Sequence, residues 1–197
     1  MDKTVLLKEF AEKYGTKFSI FIRDCMADHL QKNQDNLGKL PSASIFFSVY
    51  GLVWDKILHD KALQDDPDVD ILDAEGIQGK YLIYRSRLVV SLSKARDNRS
   101  CPATRSSMTA CRFNAQMKID FIDVPNPVNA YMYYIVDDFY QVVETGIQCP
   151  KGDGVEVYQP FYGEVLTQNL MFEDTQNNSA INDIAKQKKR FKKKAVE

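Results

Sequence analysis

The chain has 197 residues, 44% of them apolar, and a net charge of −1, which suits one domain with a real core and excludes the disordered and fibrous classes. No apolar run approaches the ~20 residues of a bilayer span. Glu9 and Glu12 break the leading segment against a secretory signal, and four cysteines with two histidines show neither disulfide density nor zinc spacing. A soluble protein of the cytoplasm is expected, or of the nucleus if the host is eukaryotic.

The first third reads as helical. Leu6, Leu7, Phe10, Ala11 and Tyr14 recur at helical spacing before Gly15, so a helix over Lys3 to Tyr14 is expected to stop there. A second helix follows Thr16 through Phe21, Cys25 and Leu30. A third, capped by Ser42 or Ser44, carries Ile45, Val49, Leu52, Val53, Trp54 and Ile57.

Residues 60–78 are Asp-rich and punctuated by Pro67, and read as a solvated connector. After Gly79 the grammar is that of strands, expected near Lys80 to Ser91, Ser106 to Asn114, Gln116 to Asp123, Ala130 to Val136, Phe139 to Glu144, Val155 to Phe161 and Glu164 to Leu170. With no long helix between them, an antiparallel sheet or barrel-like meander is favoured over a parallel one. Ser179 onward starts as an amphipathic helix with Ile181, Ile184 and Ala185, then becomes a Lys-rich tail. The reading is therefore α+β: a helical unit over 1–59, an acidic linker over 60–78, a β-rich domain over 79–174 and a basic tail over 175–197.

Charge is segregated along this order. Residues 60–78 hold one basic and seven acidic side chains, residues 79–119 nine and one, residues 120–174 one and ten, and residues 175–197 seven and two. Opposite charges pairing across neighbouring strands is the plain explanation. The sharper one is a phosphate-binding patch, since Lys and Arg that neutralise the backbone carry sequence-independent nucleic-acid binding. If Lys80 to Leu88 is one strand, Tyr81, Ile83, Arg85 and Arg87 share a face, an aromatic beside guanidinium groups as on single-strand stacking platforms. The candidate contacts are Lys80, Tyr81, Arg85, Arg87, Arg96, Arg99 and Arg105, joined by Lys188, Lys189, Arg190, Lys192 and Lys193 of the tail. The tail alone could equally be a solvated, solubilising end.

Other motifs carry less. Glu9 to Gly15 resembles half of a helix-turn-helix, but Phe18, Ile20, Phe21 and Ile22 crowd the would-be recognition helix. The alternating Asp66, Asp68, Asp70 and Asp73 fail the calcium-loop test at Ile71 and Ile77. Cys101 with Arg99 and Arg105 hints at an activated thiolate at the wrong spacing. There is no nucleotide-binding glycine motif and no nucleophile elbow. The expected function is thus a non-enzymatic binding or regulatory protein without cofactor or metal, engaging nucleic acid or an acidic protein surface and no membrane. Two alternatives remain: an assembly protein, phage- or virus-like, that oligomerises through the aromatic strands Tyr131 to Tyr134 and Phe139 to Tyr140, and a metal-dependent hydrolase using Asp120, Asp123, Asp137, Asp138 and Glu144 at strand ends.

Overall fold

In a computed structural model, residues 2–36, 42–74, 79–101, 108–119, 122–152 and 154–161 are described. Helix α1 (Lys3–Lys32) and helix α2 (Ser42–His59) are followed by a four-residue helix α3 (Lys61–Gln64) and strands β1 (Val69–Ala74), β2 (Gly79–Tyr84) and β3 (Leu88–Lys94). Helix α4 (Met108–Asn114) then precedes β4 (Val128–Val136), β5 (Val142–Lys151) and β6 (Gly154–Pro160). The six strands form one sheet in the order β1-β2-β3-β4-β5-β6. All neighbours are antiparallel except β3 and β4, which run parallel. This is the α+β class expected, with the helices of the N-terminal third packed on a mostly antiparallel open sheet. No helix among the described residues is long and apolar enough to cross a membrane.

Helix α1 does not stop at Gly15. Asp2 caps its start, the side chain accepting from Thr4 N at 3.2 Å, and the helix continues to Lys32, so the helix-turn-helix resemblance is lost. Gly15 serves close approach instead. A Cβ there would stand 2.9 Å from Cδ1 of Phe161, the residue that follows β6, closer than real contacts allow.

The sheet is covered on both faces. Leu6, Leu7, Phe10, Phe18, Ile22 and Met26 of α1 and Ile45, Val49, Val53, Trp54 and Ile57 of α2 bury one face with Leu82, Tyr84, Val90, Met132, Tyr134 and Ile147. On the other face, Tyr81, Val89, Tyr131, Tyr133 and Ile135 lie under Phe113 of α4 and under Ile119, Ile122 and Val124. Strand β4 is therefore central and buried on alternate sides. Its aromatic run Tyr131 to Tyr134 is core, not the subunit interface that the assembly reading requires.

Several expectations are corrected. The strand expected over Lys80 to Ser91 is a hairpin, because Arg85 and Ser86 adopt left-handed backbone (φ 50° and 49°) and Arg87 N donates to Tyr84 O. The strand expected over Ser106 to Asn114 is helical in its described part, and the described residues around Gln116 to Asp123 form no strand. The segment expected to run as a strand from Phe139 starts as a turn, with β5 beginning at Val142. The connector carries α3 and the edge strand β1, whose six residues pair with β2. Short runs rich in β-branched residues read alike whether they cover a sheet or join it. The strand expected over Glu164 to Leu170 and the helix after Ser179 lie outside the described residues.

Candidate nucleic-acid interface

The expected contact residues that are described do not converge on one surface. Lys80 and Arg85 stand at opposite ends of β2. Lys80 pairs with its cross-strand partner Asp73 at 2.7 Å. Tyr81 is 6% exposed with its ring 6.1 Å from that of Phe113, so no base can stack on it. Arg85 leaves the strand at the tight turn, where it pairs with Glu9 of α1 and Asp68 and lies over the Tyr84 ring at 5.0 Å. Arg87 is half-buried in the same turn and accepts from Val128 N through its carbonyl. Arg96 is exposed on the turn after β3. Arg105, Lys188, Lys189, Arg190, Lys192 and Lys193 lie outside the described residues.

Arg99 occupies the most constructed of these positions. The turn over 95–100 is closed by Arg96 N donating to Ser100 O at 2.9 Å and by Asn98 Oδ1 accepting from Ser100 N and Oγ. Its left-handed φ of 64° aims Arg99 across β5. There Nε and Nη2 meet the two oxygens of Glu144 at 2.6 and 2.9 Å, Tyr133 Oη donates to the same carboxylate at 2.6 Å, and the guanidinium lies over the Tyr158 ring at 4.5 Å. Burial alone would raise the Glu144 carboxyl, but the hydrogen bonds from Arg99 and Tyr133 outweigh it and hold the group below the usual value. Arg99 is shifted upward by the same bonds. A carboxylate so engaged is a closed ion pair and not a general base.

The remaining chemical readings also dissolve into structure. Burial pushes the Cys101 thiol to about 11, against a reactive thiolate. Asp137 caps its turn by accepting from Phe139 N and Gln141 N, and Asp123 pairs with Lys118, while Asp120 lies outside the described residues. Among the described residues no three His, Cys, Asp or Glu side chains are grouped to hold a metal. The acidic segment is answered by α1. Asp60 caps α3 and pairs with Lys17, while Asp66 accepts from Lys13 and from Tyr14 Oη at 2.8 Å, with Asp68 bridging Lys13 and Arg85.

One surface was not read from the sequence. On α2, Ser44, Phe47, Ser48, Gly51, Leu52 and Asp55 form an outward stripe, with Phe47 75% exposed. Its signal is the small residues Ser44, Ser48 and Gly51, spaced by four and three and set between apolar neighbours. They make a second helical face that the core pattern of the same helix obscures. No protein-family model matches the chain, and no curated protein or solved structure matches it either.

Proposed function

We propose that the chain is a non-enzymatic binding protein for an anionic partner, nucleic acid being the chemistry that fits best, with its contact in the Lys-rich stretch 186–194 and not on the sheet. The observation that supports this placement is the pairing just described. Lys80, Arg85 and Arg99 each face a carboxylate of the fold, whereas the terminal segment carries seven basic residues against two acidic ones in its own sequence. A run of that density releases counterions from a phosphate backbone whatever the base sequence.

The test is a titration of single- and double-stranded oligonucleotides across salt, comparing wild type, a truncation after Ala185 and Arg96→Ala. Binding that weakens steeply with salt, disappears on truncation and survives Arg96→Ala is expected. No binding by the wild type at low salt overturns the reading.

A further inference from the structure

The outward face of α2 is apolar and exposed, with Phe47 75% and Leu52 36% open, and no contact from another element is seen on it among the described residues. Gly51 sits in the middle of an 18-residue helix, and a Cβ placed on it would meet no atom of the described residues within 4 Å. Mid-helix glycine destabilises relative to alanine, and neither a positive φ nor a neighbouring side chain requires it here. Its use is to let another backbone come close. Phe47, one turn before it, is among the most exposed large apolar side chains described, and Leu52 extends the apolar strip.

The rim of this strip is acidic. Asp55 continues it, and Asp24 and Asp28 line the facing edge of α1, all three near the buried Cys25. Each of the three has a neighbour on its own helix pair, Asp24 meeting Lys56 at 3.4 Å, Asp28 Lys32 at 2.7 Å and Asp55 His59 at 3.3 Å, and their side chains remain 57%, 47% and 70% exposed and open to exchange partners. The sequence contains a complement: Ile181, Ile184 and Ala185 at helical spacing, followed by Lys186, Lys188, Lys189 and Arg190. It can reach. Phe161 is held against the middle of α1, and the 20 residues from there to Ile181 span up to ~60 Å, against ~27 Å for the whole of α2.

We infer that residues 179–194 of the same chain dock on the Phe47–Gly51–Leu52 stripe, the isoleucines on the apolar strip and the lysines against Asp24, Asp28 and Asp55. The seated segment withholds its lysines from other anions, so α2 regulates the tail's availability. This adds a regulatory contact to the proposed function, but its test contains no nucleic acid and stands or falls separately.

The test is limited trypsin digestion of the full chain, following cleavage after Lys186 to Lys194 by mass spectrometry beside a synthetic peptide of residues 179–197. Cleavage tracks the released fraction, so the full chain at low salt should be cut about tenfold more slowly than the peptide. Phe47→Glu, Asp55→Lys or raised salt should each bring the rate to that of the peptide. Gly51→Leu is the sharpest variant, because it should raise the melting temperature and still free the tail. Asp55→Lys combined with Lys192→Glu and Lys193→Glu should recover part of the protection. Equal rates for wild type and peptide overturn the inference, as does protection unchanged by Gly51→Leu. Protection that grows with protein concentration also overturns it, since the occupant would then be a second copy.

Discussion

The two faces of the sheet are closed by different chemistry. Under α1 and α2 the contact is a broad apolar layer crossed by one buried hydroxyl pair, Thr145 with Ser19, with ionic ties at its edges where Lys13, Lys17 and Arg85 meet Asp60, Asp66, Asp68 and Glu9 and where Lys3 meets Glu156. On the other face the cover is a seven-residue helix and irregular chain, held by side-chain amides. Gln116 Nε2 donates to Asn129 O and Pro150 O, Asn129 Nδ2 donates to Phe113 O and Met117 O, and Tyr131 Oη donates to Asn114 Oδ1. Long helices satisfy their own backbone and can offer pure hydrocarbon to a sheet. A short irregular cover leaves carbonyls that the sheet must answer with polar side chains.

That contrast can be broken from either side, and the largest effect belongs to the helical face. Phe18→Ala removes a fully buried ring stacked on Phe10 and should cost about 4 kcal/mol in denaturant unfolding, with Phe18→Leu recovering part of it. On the opposite face Asn129→Ala empties less volume but strands two carbonyls, and a loss of about 2 kcal/mol is expected. A loss below that of a surface substitution would show that the amides are dispensable.

Acid sharpens the comparison further. Burial pushes the carboxyls of Asp60 and Asp66 up, but the bonds from Lys17 and Leu63 N to the one and from Lys13, Asp68 N and Tyr14 to the other together outweigh it, and both groups lie below their ordinary 3.8. Groups lowered in the folded state contribute fully above the unfolded value and lose that contribution as pH falls through the folded one. Melting temperature should therefore hold from neutrality to about pH 5 and drop below about pH 4. Asp66→Asn should flatten part of the drop, and an unchanged acid limb in that variant would remove the rim from the account. The smallest effect is at the β2–β3 turn. Ser86→Gly relieves a left-handed backbone and should stabilise by about 1 kcal/mol, read from the denaturation midpoint.

The helices of the first third were legible because their apolar residues recur every three or four positions over many turns. Gly15 misled because a stop signal and a close-packing glycine look the same without the partner, and Phe161 lies 146 residues away. Strands β4 and β6 were legible from clustered Tyr, Val and Ile. The β3–β4 crossover was not, since Phe113, Ile119 and Ile122 read as strand residues until the sheet they cover is in view. The pairing of the described basic residues was hidden for a related reason. Charge along a chain is one-dimensional, and the carboxylates that answer Arg85 and Arg99 come from Glu9 and Glu144, 76 and 45 residues distant.

The first helix finds its partners in the last strands. Lys3 reaches Glu156, Ser19 bonds Thr145, and Gly15 receives Phe161. During synthesis at about 5–20 residues per second, Phe10, Phe18 and Ile22 emerge about six to thirty seconds before β5 and β6 exist to shield them. The nascent protein thus carries a helix pair whose sheet-facing side stays greasy and uncovered until nearly everything up to Phe161 has been made.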